Sequence, residues 1–121
     1  MFPTTDAIQS VQTASGSDGK AHGTARFKKD LPVLTGHFPG NPLIPGVYVL
    51  ALVAEVARRT GVAVGAIQAI EKAKWSAPIF PDEDLTISLT SRQHEHGWRI
   101  DGEVSKGSVV CASCRLLLAE K

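Results

Sequence analysis

Apolar and polar residues alternate most regularly in the second half of the chain. Leu85-Thr86-Ile87-Ser88-Leu89-Thr90 reads as a strand with Leu85, Ile87 and Leu89 on its core face. Trp98 to Val104 alternates again, with Trp98, Ile100 and Val104 inward, and Val109 to Leu118 reads as a last strand. Gln93-His94-Glu95-His96-Gly97 and Lys106-Gly107 are the turns between them. Near the start, Ala7 to Thr13 alternates loosely and Lys20 to Lys29 forms a second strand. The cluster Ser15-Gly16-Ser17-Asp18-Gly19 turns the chain between them, with Asp-Gly as the hairpin signal. Val64 to Trp75 carries β-branched residues but mixes its faces, and Ala77 to Asp84 is a connection punctuated by two prolines.

The period changes at Val47. From Val47 to Arg59 there is no breaker, Ala and Leu dominate, and two arginines close the run at the negative end of a helix dipole. The pattern predicts a helix from Val47 to Thr60 with Gly61 as its C′ residue. It is apolar around most of its circumference, which predicts protein on nearly every side. Before it, Gly36-His37-Phe38-Pro39-Gly40-Asn41-Pro42-Leu43-Ile44-Pro45-Gly46 packs prolines and glycines around one histidine, the composition of a stiff loop. Two strands, a helix and four strands joined mainly by tight turns predict an α+β fold in which an antiparallel sheet wraps one long central helix.

Length and composition narrow the reading further. The 121 residues suggest one domain over 1–121, with so little depth that burial by a partner subunit is expected. A net charge of +1 gives no general argument for nucleic-acid or membrane binding. The start, Met1-Phe2-Pro3-Thr4-Thr5-Asp6, lacks signal-peptide character and no apolar run is fit to span a bilayer, so a cytoplasmic location is expected. Cys111 and Cys114 spell CxxC, but inside a strand, where residues three apart face opposite ways; buried reduced thiols are expected rather than a redox pair or metal site. His94 and His96 lack a third ligand and read as solvated turn residues, and His22 stands alone. No P-loop, dinucleotide fingerprint or other cofactor motif is present, so no cofactor and no metal is expected.

Gly36 to Val47, GHFPGNPLIPGV, resembles the active-site loop of the hot-dog-fold (3R)-hydroxyacyl-acyl-carrier-protein dehydratases, and Ala73-Lys74-Trp75-Ser76-Ala77-Pro78-Ile79-Phe80-Pro81-Asp82-Glu83-Asp84-Leu85 resembles their second recurring stretch. The resemblance runs from about Ile8 to Leu118. It implies a hot-dog domain, a homodimer with sites at the subunit interface and in some relatives a trimer of dimers. The substrate would be an acyl thioester on acyl-carrier protein or CoA in fatty-acid or related biosynthesis. The resemblance further implies an acid/base role for His37, a Gly46 N–H facing the thioester carbonyl, and Phe38, Pro45 and Val47 flanking the substrate. A helix N-terminus suits the Gly46 role, because its free N–H groups and positive potential meet developing negative charge. Tyr48 and the apolar helix face are candidates for an acyl tunnel, with core packing as the alternative. Lys28, Lys29, Arg58, Arg59, Lys72 and Lys74 are candidate contacts for an acidic carrier.

The chain departs from that family at one place. Where the family carries a catalytic Glu or Asp on the first turns of the helix, this chain has Ala51. Glu55 lies one turn further on the same face, about 6 Å along the axis, and its side chain is expected to lean back over the vacated position. Glu55 is therefore a candidate second catalytic group, with a salt bridge to Arg58 or Arg59 as the alternative. The alternatives to dehydration are thioester hydrolysis, or a non-catalytic acyl-binding or partner subunit.

Overall fold

The computed structural model describes residues 8–15, 20–27, 44, 46–60, 65–95 and 97–119. Strands β1 (Ile8–Ser15) and β2 (Lys20–Phe27) precede helix α1 (Gly46–Arg59), and β3 (Ile67–Trp75), β4 (Leu85–His94), β5 (Gly97–Lys106) and β6 (Val109–Ala119) follow it. They form a six-stranded sheet in the order β1-β2-β4-β5-β6-β3. Every neighbouring pair is antiparallel. The chain thus leaves β2, passes through α1 to the far edge at β3, and returns to β4 beside β2. The sheet curls around the helix, the hot-dog arrangement.

The alternation sets which face curls inward. Ala21, Ala25 and Phe27 of β2, Leu85, Ile87 and Leu89 of β4, Ile100 and Val104 of β5, and Leu116 and Leu118 of β6 are buried against Leu52, Val53, Val56 and Ala57 of α1. Trp98 packs at the margin of that cluster. Gly102 occupies the inward row of β5 where the helix comes closest. A Cβ there would sit 2.6 Å from Val53 Cγ1, so glycine is what lets the helix settle into the sheet.

Several expectations shift. The helix is not covered all round by the described residues. Val47, Tyr48, Ala51, Glu55, Arg58 and Arg59 form a stripe with partial or full exposure, because the sheet wraps one side only. Tyr48 meets Phe27 edge-on with ring centroids 6.5 Å apart, a packing contact of the core margin. The mixed faces of the third strand have a cause in two register shifts against β6, one between Ile67 and Ala69 and one between Ile70 and Lys72. β4 runs on to His94 and leaves Glu95, at φ 49°, in the tight connection to β5. Lys106 belongs to β5, and Gly107, at φ 59°, makes the following turn.

The cysteine argument also needs correction. Cys111 and Cys114 are both buried and free, as expected of reduced thiols, yet they do not divide between a core face and a solvent face. Val104 pairs with Ala112 and Ser105 with Val110, which skips Cys111. That bulge resets the alternation and allows both thiols inside. Burial pushes the Cys114 thiol up to about 11. Gly61 and the turn at 16–19 lie outside the described residues, as do residues 28–43. No helix among the described residues is long and apolar enough to cross a membrane.

Candidate active site

α1 begins at Gly46 with no acidic residue in its first turn. The ring of Trp75, the last residue of β3, lies over this helix start. A Cβ on Gly46 would fall 2.7 Å from Trp75 Cζ2 and 3.0 Å from Cη2, so the indole and the first helical residue can be this close because Gly46 has no side chain. Ile44, just before the helix, is tied across the opening by its N–H, which donates to the Ile79 carbonyl at 2.8 Å. The chain leaves β3 through a fixed corner, since the Cys111 carbonyl accepts from both the Ser76 and Ala77 N–H groups.

These pieces enclose an apolar cleft of about 170 Å³ lined by Ile44, Gly46, Val49, Trp75, Ala77, Pro78 and Ile79. One end of the cleft is the positive end of the helix dipole, and the walls are hydrocarbon and indole. Such a site accepts an apolar chain whose polar end carries a carbonyl or a developing negative charge. Trp75 is 50% and Val47 48% exposed, which leaves large apolar surface at the mouth. A larger groove of about 350 Å³ lies on the other face of the sheet among Lys72, Thr90, Asp101, Glu103, Ser113 and Arg115. Its Arg115 and Asp101 already pair at 2.8 Å, and no helix end faces it, so the smaller cleft is the chemical candidate. Among the described residues no cluster of His, Cys, Asp or Glu is placed to hold a metal.

The sequence-predicted residues divide sharply. His37, Phe38 and Pro45 lie outside the described residues. Gly46 lines the cleft and Val47 stands beside it at the helix start. Glu55 stands nine residues further along α1, about 13 Å from Gly46. Its carboxylate accepts from Arg59 Nε at 2.6 Å and from Arg58 at 3.3 Å, both on the C-terminal side, and its side chain is only 13% exposed. The expected lean over Ala51 is therefore replaced by a grip toward the helix end. Arg58 also donates to the Gly65 carbonyl at 3.3 Å. Of the basic residues singled out for a carrier, Arg58 and Arg59 are thus engaged with Glu55, and Lys72 and Lys74 are exposed on β3. Trp75, Pro78 and Ile79 carry the cleft but were not site candidates; the signal for them was the Ala73–Leu85 stretch that resembles a dehydratase motif.

The ApeI-like family, described as ApeI dehydratase, matches residues 12–114. The chain is 30% identical over 95 residues to the 3-hydroxyacyl-acyl-carrier-protein dehydratase FabZ of Geotalea uraniireducens, covering 70% of this chain and 66% of that one. It is 31% identical over 98 residues to the FabZ of Legionella pneumophila, covering 72% and 65%. It thus spans just under two thirds of these relatives' own lengths. Among solved structures, the dehydratase heterocomplex ApeI:P from Xenorhabdus doucetiae superposes with a TM-score of 0.74 at 19% identity, over 99% of this chain and 100% of that one. The PaaI protein of E. coli, from a phenylacetic acid degradation operon, superposes with a TM-score of 0.68 at 16% identity, over 92% and 79%. These structural likenesses concern the fold. The match over most of the chain, together with a hot-dog sheet closed on a Gly46 helix start, means that this protein belongs to the ApeI-like dehydratase family.

Proposed function

We propose that this protein dehydrates a (3R)-3-hydroxyacyl thioester, carried on acyl-carrier protein or CoA, to the trans-2-enoyl thioester. His37 removes the α-proton, the Gly46 N–H holds the thioester carbonyl as negative charge develops on it, and the 3-hydroxyl leaves as water after receiving a proton. Phe38, Pro45 and Val47 flank the acyl group. The observation that carries this reading is the helix start itself, an apolar cleft closed by Trp75 over Gly46 with no acid in the first turn. The FabZ relatives support the reaction class. Fatty-acid or related acyl-chain biosynthesis in the cytoplasm is the setting that goes with it.

The second catalytic group divides two readings. In the first, Glu55 delivers the proton to the leaving hydroxyl, and to do so it must leave both arginines. In the second, which the ion pairs at 2.6 and 3.3 Å favour, the acid comes from another chain at the subunit interface and Glu55 stays a helix clamp. The open edge of β3, exposed from Gln68 to Trp75, is the place for such a chain. A homodimer, alone or as a trimer of dimers, suits the first reading. A heteromer suits the second, and a related solved dehydratase is a heterocomplex. Product analysis with a 3-hydroxyacyl thioester tests both. Enoyl thioester lost on His37→Ala is expected. Release of free thiol would mean hydrolysis instead, and neither product from the protein alone would mean an acyl-binding or partner subunit, with any acid supplied in trans.

A further inference from the structure

The connection between β3 and β4 forms one wall of the cleft through Pro78 and Ile79, and it has no regular secondary structure of its own. A proline has no N–H, so the Pro78 carbonyl is its one backbone handle. Lys106, at the end of β5, takes that handle: its Nζ donates to the Pro78 carbonyl at 3.0 Å. The same ammonium reaches Glu83 Oε1 at 3.2 Å and Oε2 at 3.1 Å, and it lies 5.3 Å from the centre of the Phe80 ring. Glu83 in turn accepts from the Phe80 N–H at 2.7 Å, closing the connection on itself. An ammonium has three protons, and here a carbonyl and a carboxylate divide them while an aromatic face covers the charge.

We propose that Lys106 is a positioning residue for the cleft: it pins the Pro78–Glu83 connection and thereby sets how tightly the acyl chain is held. The inference rests on the reading of the cleft as an acyl site. The lever is local. On the other side of the wall, Ile79 is already bonded to Ile44 at the helix approach, so movement of the connection widens the opening opposite Gly46 and Trp75. Lys106 and Glu83 are 26% and 31% exposed at the side chain, a pairing that contributes little to global stability. Its loss is therefore expected to register in the cleft before it registers in unfolding.

The test begins without substrate. In Lys106→Met, hydrogen exchange across residues 77–84 and at the Ile44 amide should accelerate at least tenfold while the amides of α1 stay unchanged; unchanged exchange in the connection overturns the clamp. The second arm uses a 3-hydroxyacyl thioester. Lys106→Met should raise KM about tenfold with kcat within twofold and little change in Tm, and Lys106→Arg should restore KM. Glu83→Gln, which keeps an acceptor for the Phe80 N–H, should give an intermediate KM, and the double variant should be no worse than Lys106→Met. A wild-type KM in Lys106→Met, or a parallel fall in kcat and Tm, overturns the inference. A wild-type protein that neither turns over nor binds such a thioester overturns the reading of the cleft itself, and the exchange measurement still decides the clamp.

Discussion

The two ends of α1 are built on opposite principles. At its start the helix has no acidic side chain in the first turn, a glycine under an indole, and an apolar cleft that opens onto its backbone donors. At its end Glu55, Arg58 and Arg59 bind one another, Arg58 reaches the Gly65 carbonyl, and the Thr60 hydroxyl returns to the Val56 carbonyl. The dipole favours anions at the first end and cations at the second. Among the described residues, side chains meet that preference only at the second. The consequence is a division of labour along a single element. The C-terminal end is closed by ion pairs, and the N-terminal end, with no acid in its first turn, can meet a carbonyl on which negative charge develops, as it would on the proposed thioester.

The hardest blow to this contrast falls at the closed end. Gly65 lies so near the Ala119 backbone that a Cβ would sit 1.7 Å from its carbonyl oxygen, and neither backbone can yield cheaply. Gly65→Ala is expected to cost about 3 kcal/mol in urea unfolding; a loss below about 1 kcal/mol would show that this end is looser than drawn. Between the two ends, Cys114 supplies a pH control. Its folded thiol keeps its proton up to about 11, above the ordinary value of 9.0. The stability it contributes is thus complete below pH 9.0 and falls away as the pH rises toward 11. The expected loss is on the order of 2 kcal/mol, abolished by Cys114→Ala, and unfolding curves across that range measure it.

At the open end the effect should appear in activity rather than stability. Gly46→Ala pushes against the far edge of a half-exposed indole, which can swing aside, so Tm should hardly move. Turnover of a 3-hydroxyacyl thioester should nevertheless fall about tenfold in kcat/KM, equivalent to about 1.4 kcal/mol. Truncation at Trp75 in the same background should relieve the clash without restoring the wall. The smallest effect is expected for Glu55→Gln. Unfolding stability should drop by under about 1 kcal/mol, less at high salt, with turnover unchanged. A fall of about 10²-fold or more in turnover would return Glu55 to the role of acid and erase the division between the ends.

Much of the fold was legible because the relevant forces are local. The alternation of Leu85, Ile87 and Leu89 named the core face of β4, and Ile100 and Val104 did so for β5; all are buried where expected. β3 was blurred because its two register shifts break the period from which faces are read. Cys111 and Cys114 are buried and free as expected, although a bulge at Cys111 is invisible to the regular-pleating rule used to place them. The candidate site was legible only in part. Gly46 stood out as the end of a Pro- and Gly-rich loop and Trp75, Pro78 and Ile79 share one motif-like stretch, but no local pattern joins these two segments to each other or to Lys106.

What the sequence determined by itself is therefore the set of elements and their inward faces, because a period of two or of 3.6 residues is a property of neighbouring positions. It also carried the motif that places this chain among the dehydratases. The tertiary structure alone decided that β3 pairs with β6 at the sheet edge, that Trp75 roofs Gly46, that Lys106 holds Pro78, and that Glu55 turns to Arg58 and Arg59 rather than toward Ala51. Strand order and the meeting of β3, β5 and the helix start are settled by long-range pairing and burial. Even Glu55, whose partners are near in sequence, had several local options, and the packed helix end, with Arg58 bridging to Gly65, selected among them.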